Sequence, residues 1–120
     1  MLSSQIPQLY ITQTENGRGI FTALDISARS IIENCPVIIL DKREKLLIHQ
    51  TKLHDYYFVW DMAEESCAIA LGFGSIYNHS ETPNAEFEIL KAELTIRFIS
   101  NKPIKAGEEI TINYINIEDK

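Results

Sequence analysis

Residues 72–84 read GFGSIYNHSETPN and form the most informative segment of the chain. They follow the apolar residues 68–71 and gather two asparagines, a histidine and a serine around Pro83. Such a loop, carried on the end of a strand, suits the binding of a polar ligand. The same residue types also build structural turns, in which Asn and Ser side chains bond their own backbone. Composition alone leaves both interpretations open.

His79 and Ser80 do not form a convincing catalytic dyad. Neighbouring residues of a strand point to opposite faces, and no acidic residue is placed to orient the imidazole. The other two histidines, His49 and His54, flank the end of a predicted helix and are typical of surface or capping residues.

Residues 106–114 read AGEEITINY and form a second unusual segment. The alternation predicts a strand over residues 109–115, with Ile110, Ile112 and Tyr114 on one face. The commonest role of a tyrosine in that position is a buried aromatic side chain.

A hairpin is predicted near the start of the chain. Residues 9–11 and 20–21 are apolar and flank ENGRG, so Asn16 and Gly17 are placed at the tip of the turn. Alone, the Gly-Arg-Gly sequence at 17–19 indicates no more than a turn.

The remaining chain predicts a mostly β domain with one short helix. Asp41 with Glu44 three positions later matches a helix N-cap and is followed by leucines. Residues 30–40 are rich in Ile and Val and are interrupted at Cys35-Pro36, which predicts two strands or one bulged edge strand. Further strands are predicted at residues 56–60, 67–71, 85–90 and 94–99.

The length of the chain limits the number of domains, and its net charge limits the classes of binding partner. The chain has 120 residues and a mass of 13.7 kDa, which fits a single domain. Eleven Lys and Arg against 17 Asp and Glu give a net charge of −6, which disfavours binding to nucleic acid. A negative surface favours cationic partners, although this charge can also serve solubility alone.

Membrane, secretion and zinc signals are missing from the sequence. No apolar run approaches the roughly 20 residues of a membrane-spanning helix, and the N-terminus does not resemble a signal peptide. Cys35 and Cys67 lack metal-ligand spacing, and no metal site is predicted. Buried, reduced thiols are the simplest interpretation, and a bridge between them stays open.

In combination, the segments resemble the SET domain family of protein lysine methyltransferases. The resemblance rests on NGRGIF at 16–21, DYYF at 55–58, NHSETPN at 78–84 and GEEITINY at 107–114. It is greatest for the minimal, stand-alone SET proteins of large DNA viruses and bacteria, which share ALGFG at 70–74. It implies one SET domain over residues 1–120. The implied fold has several small β-sheets, one or two short helices, and a C-terminal strand that threads beneath the Asn-His-Ser loop in a pseudoknot.

The sequence also contains a weak internal echo, which two similar turns entering strands explain better than a true repeat does. Ile-x-Ala occurs at residues 26–28 and again at 104–106, and it marks two matching turns of the implied fold.

The cofactor of the family is S-adenosylmethionine, and the resemblance implies six residues that bind it: Asn16, Gly17, Arg18, Tyr56, Asn78 and His79. The first three hold the methionine end, mainly through backbone groups. Asn78 and His79 contact the amino-acid and adenine parts, and Tyr56 lies along the cofactor or the lysine channel. Tyr114 matches the catalytic tyrosine.

The implied activity is S-adenosylmethionine-dependent methylation of lysine in a basic protein such as a histone tail, in the cytoplasm, the nucleus or a host cell. A homodimer is expected, because the chain carries no cysteine-rich lid to close the lysine channel. The alternatives are a SET-like binding module without turnover and an unrelated acidic β-rich adaptor.

Overall fold

The computed structural model describes residues 8–15 and 17–113, in which nine strands form three small sheets. The predicted mostly β fold is confirmed. The strands are β1 Leu9–Thr14, β2 Gly17–Thr22, β3 Ile31–Leu40, β4 Tyr57–Asp61, β5 Ser66–Ala70, β6 Asn78–His79, β7 Ala85–Leu90, β8 Thr95–Ser100 and β9 Thr111–Ile112. One helix, α1 Lys42–Ile48, and two 3-10 turns, Lys52–Asp55 and Lys91–Glu93, complete the described elements.

The predicted N-terminal hairpin is present. Strands β1 and β2 pair antiparallel in a two-stranded sheet, with Thr14 opposite Gly17. Gly17 has a φ of 102°, a left-handed value that a side chain would strain. The tip residue Asn16 lies outside the described residues.

The largest sheet has five strands in the order β4-β5-β3-β8-β7. Its central strand β3 changes partner midway, because residues 31–36 pair with β8 and residues 37–40 pair with β5. Pro36 lies at this change of partner, where a missing N–H is tolerated. The prediction of two strands or one bulged edge strand was therefore wrong: β3 is one continuous strand in the centre of the sheet, and its bulge lies between Ile31 and Glu33.

Helix α1 begins with the predicted capping box. The Asp41 carboxylate accepts from the Glu44 backbone N–H, and the Glu44 side chain accepts from the Asp41 N–H. His49 is the C-cap, as expected for a capping histidine. None of the α1 residues is buried, so this helix lies on the surface of the sheet.

The C-terminal segment is held between two other parts of the chain. On one side, the N–H groups of Gly107 and Ile110 donate to the carbonyls of Thr22 and Ile20. On the other side, β9 pairs in parallel with β6. The C-terminal segment thus runs between the hairpin and the Asn-His segment, which is the arrangement that the implied pseudoknot requires.

The last strand is shorter than predicted. Residues 109–115 were expected to form one strand, but β9 covers only Thr111 and Ile112, and Glu109 makes an isolated bridge to Phe21. Residues 114 and 115 lie outside the described range. The segment pairs with the hairpin first and with β6 afterwards, and this exchange of partners interrupts the ladder.

The two Ile-x-Ala segments pair with each other. Ile26 and Ile104 form a bridge in which each N–H donates to the other carbonyl, at 2.7 and 2.9 Å. Each is followed three residues later by a left-handed backbone, at Arg29 (φ 61°) and Gly107 (φ 91°). The echo in the sequence therefore corresponds to two similar turns packed side by side.

The core lies where the sheets meet, and its largest fully buried side chains are those of Tyr77, Phe58, Phe98, Ile20, Ile32, Ile96, Ile104, Ile110 and Ile112. Cys35 and Cys67 are both buried and both free, so no disulfide joins them. No helix among the described residues has the length and apolarity that a membrane crossing needs.

Candidate functional site

The Asn78 side chain joins three distant segments of the chain. Its Nδ2 donates to the Arg18 carbonyl at 3.0 Å and to Glu109 Oε2 at 2.7 Å. Arg18 belongs to β2, and Glu109 precedes β9. Two of the predicted binding residues, Arg18 and Asn78, are thus in direct contact, and we call this Arg18–Asn78–Glu109 cluster the Asn78 junction.

Gly19 explains why a Gly-Arg-Gly sequence is present at the junction. A Cβ at this position would overlap the Glu109 carboxylate and would lie 3.1 Å from Asn78 Nδ2. Only a glycine lets the two side chains approach the β2 backbone so closely. Sequence analysis indicated no more than a turn here, because the close approach comes from residues about 60 and 90 positions later.

Asn84 fastens the C-terminal segment to the junction. Its Nδ2 donates to the Glu109 carbonyl, and its Oδ1 accepts from the Thr111 N–H, both at 2.9 Å. Its own carbonyl accepts from the Asn101 N–H at 3.0 Å. One side chain therefore satisfies two backbone groups, a role that its place in the Asn-His motif did not reveal.

Glu33 of β3 supports the loop that leads to Asn78. It accepts the Tyr77 hydroxyl at 2.6 Å and the Phe73 N–H at 3.0 Å. Burial and then the Glu33 charge hold the pKa of Tyr77 well above its usual value of 10. The same two causes raise the pKa of the adjacent Cys35 thiol. Residues 73–77 are thus anchored beneath the junction.

Of the other predicted residues, Gly17 adjoins Arg18 in β2 and His79 adjoins Asn78 in β6. His79 is exposed in β6, opposite Ile112. Tyr56 ends the 3-10 turn with 42% of its surface exposed, and no hydrogen bond among the described residues links it to the Asn78 junction. Asn16 and Tyr114 lie outside the described residues, as does any contact they make.

One cavity adjoins the end of the described chain. It has a volume of about 390 Å³, and its lining includes Pro83, Phe87, Asn101 and Asn113. Asn113, the last described residue of this segment, immediately precedes Tyr114 in the sequence. Among residues 8–15 and 17–113, no three His, Cys, Asp or Glu side chains are grouped to hold a metal.

The family model of the SET domain matches residues 17–115 of the chain. A histone-lysine N-methyltransferase of Schizosaccharomyces pombe, specific for H3 lysine 37, is 35% identical over 108 residues, which cover 88% of this chain and 72% of that protein. The histone-lysine N-methyltransferase Set2 of Drosophila melanogaster is 38% identical over 78 residues, or 61% of this chain and 3% of Set2.

Solved structures share the fold. The crystal structure of a Plasmodium falciparum protein assigned as a histone methyltransferase matches with a TM-score of 0.72 and 28% identity, over 89% of this chain and 92% of that one. ctPRC2 in an autoinhibited conformation bound to S-adenosylmethionine matches with a TM-score of 0.79 and 23% identity, over 98% of this chain and 16% of that one. The second likeness concerns the fold alone.

Proposed function

Since the chain belongs to the SET domain family of protein lysine methyltransferases, we propose that it transfers a methyl group from S-adenosylmethionine to a lysine of a basic protein such as a histone tail. The proposal treats residues 1–120 as one SET domain that works in the cytoplasm, the nucleus or a host cell.

The observation that carries the proposal is the Asn78 junction. It unites the Gly-Arg-Gly hairpin and the Asn-His segment, which the family resemblance links to the cofactor, with the Gly-Glu-Glu segment, which leads to Tyr114 in the sequence. The polar groups there include an amide and a carboxylate, which suit the charged methionine end of S-adenosylmethionine. We assign that end to Asn16, Gly17, Arg18 and Asn78, and the adenine side to His79.

The chemistry divides simply between cofactor and protein. S-adenosylmethionine supplies an activated methyl group on a sulfonium when it is bound. The protein must present a neutral amine in line with that methyl, and lysine, with a pKa near 10.4, is neutral only about one part in a thousand at pH 7.4. A desolvating channel lined by Tyr56 and Tyr114 lowers the lysine pKa. Tyr114 orients the amine, because a phenol with a pKa near 10 is a poor base at neutral pH.

Charge favours a basic substrate. The net charge of −6 attracts a lysine-rich tail. The S. pombe relative is named for a lysine of histone H3, and we extend that substrate class to this chain without naming the target lysine.

We further propose that the protein forms a homodimer. A second copy is an economical source of a wall for the lysine channel, since closed two-fold dimers are the commonest oligomers. Leu46 and Leu47 of α1 are more than half exposed and offer an apolar surface that a partner could cover. Light scattering after size exclusion should give twice 13.7 kDa, and full activity from a monomer would contradict this part of the proposal.

The decisive experiment is transfer of a labelled methyl group to mixed histones. We expect transfer by the wild type, and at least a tenfold lower rate for Tyr114→Phe, which is about 1.4 kcal/mol of barrier. Tyr10→Phe is the matched control, because Tyr10 lies on the exposed hairpin and should keep the wild-type rate.

Each other outcome has a defined meaning. Cofactor binding without transfer would favour the alternative, a SET-like binding module without turnover. A wild-type rate for Tyr114→Phe would remove Tyr114 from the mechanism. A protein that neither binds the cofactor nor transfers the methyl group would contradict the proposed function.

A further inference from the structure

The Asn78 amide is held in one orientation. Its Nδ2 faces the Arg18 carbonyl at 3.0 Å and the Glu109 carboxylate at 2.7 Å. Both groups can only accept hydrogen bonds, so an amide turned over would set its oxygen against two other oxygens. Asn78 Oδ1 therefore faces away from both groups, and within the described part of the chain no group donates to it.

Glu109 is placed independently of Asn78. Its backbone bridges Phe21, and its carbonyl accepts from Asn84 Nδ2. Gly19 leaves the space that the carboxylate occupies. The second carboxylate oxygen, Oε1, receives no hydrogen bond from residues 8–15 or 17–113. Strand β2 and Asn84 thus place a half-buried carboxylate with one oxygen available.

The junction presents acceptors and negative charge together. Asn78 Oδ1 and Glu109 Oε1 both belong to side chains joined by the 2.7 Å bond. A carboxylate polarises the amide that donates to it, which strengthens the amide oxygen as an acceptor. The chemical group that this arrangement favours is a cationic donor of several hydrogen bonds, which describes a primary ammonium.

We propose that Glu109 is a positioning residue for the cofactor: it fixes the Asn78 amide with Oδ1 outward and supplies the negative charge that selects the α-ammonium of the methionine end. This inference rests on the proposed function, since it names the part of the cofactor that the junction recognises. Neither the family motif nor the sequence pattern assigned Glu109 a role. Its test must separate recognition of the ammonium from a general effect on the fold.

Two compounds that differ in the α-ammonium group serve as probes. S-adenosylhomocysteine carries the α-ammonium, whereas 5′-methylthioadenosine has the same adenosine and thioether without the amino-acid end. Calorimetry with Glu109→Ala should show at least tenfold weaker binding of S-adenosylhomocysteine and less than a twofold change for 5′-methylthioadenosine. Glu109→Gln keeps an acceptor for Asn78 but loses the charge, so it should lie between Glu109→Ala and the wild type.

Glu108→Gln is the matched control. The Glu108 carboxylate is exposed and accepts from the Lys105 N–H at 2.8 Å, away from Asn78, so the variant should bind both probes like the wild type. In a double-mutant cycle, Glu109→Ala should add little to the loss caused by Asn78→Ala, because the two side chains act as one unit.

The remaining outcomes overturn the inference in distinguishable ways. Wild-type affinity of Glu109→Gln and Glu109→Ala for S-adenosylhomocysteine would contradict it while the proposed function stands. Equal losses for both probes would show that Glu109 serves only the fold. Wild-type protein that binds neither compound would remove the proposed function, and this inference with it.

Discussion

The Asn78 junction and the surface formed by α1 and the following turn are built in opposite ways. At the junction, hydrogen bonds connect Asn78 to residues 60 and 31 positions away. On the α1 surface, His49 bonds Tyr57 only eight residues away and packs edge-on to His54. None of the α1 residues is buried, whereas Ile20, Ile110 and Ile112 in the segments beside the junction are at 1% exposure or less.

The difference indicates that the Asn78 junction is preformed, whereas the α1 surface can adapt. Contacts between distant segments exist only when the whole domain is folded, so the junction shares the stability of the core. Local contacts on an exposed helix can open and close without global unfolding. In the proposed function, the cofactor side is therefore rigid, and the surface beside Tyr56 is free to adjust to a substrate or a second copy.

The largest expected effect is at Asn84. Replacing Asn84 with Ala leaves the Glu109 carbonyl and the Thr111 N–H without their partners, and each unsatisfied buried group costs about 1–3 kcal/mol. We expect the free energy of unfolding in urea to fall by about 2–4 kcal/mol. Asn34→Ala is the control, since Asn34 bonds the Arg97 side chain, and an equal loss there would contradict the special role of Asn84.

Substitution of one tyrosine in each region compares how much each side chain contributes to stability. Tyr77 is 1% exposed and donates to Glu33, so Tyr77→Phe should lower the free energy of unfolding by about 1.5–3 kcal/mol. Tyr57 bonds an exposed histidine, and Tyr57→Phe should change stability by less than about 0.5 kcal/mol. Similar values from chemical denaturation would show that the two regions do not differ as described.

Alkaline pH should weaken the fold by a smaller amount. Burial raises the pKa of Cys67 from 9.0 to about 11, so from pH 9 upward the unfolded chain loses this proton while the folded chain retains it. The contribution of the Cys67 thiol to the free energy of unfolding is fully present below pH 9 and is lost as the pH rises toward 11. The loss by pH 9.5 is about 1 kcal/mol for one such group.

The measurement is urea unfolding at pH 8 and pH 9.5. Buried Cys35 and Tyr77, whose pKa values are also raised, add to the same trend. Cys67→Ala should reduce the fall between the two pH values, and a fall of unchanged size would exclude the Cys67 thiol as a contributor.

Much of the local structure followed from short-range patterns. The turn at Gly17, the capping box at Asp41 and the alternation in β7 and β8 are each decided by neighbouring residues. The pairing of Arg18 with Asn78 was expected only from the family resemblance, and the assignments of Asn16, Tyr56, His79 and Tyr114 stay predictions.

The sequence by itself determined the strands, the turns and the motifs, because backbone preferences and alternation act over a few residues. Only the tertiary structure decided that β3 is central, that β9 is two residues long, and that Gly19, Asn84 and Glu109 meet at Asn78. These features depend on which distant segments share a space. That choice is made by burial of the whole core and by the pairing of its backbone groups, neither of which a local pattern contains.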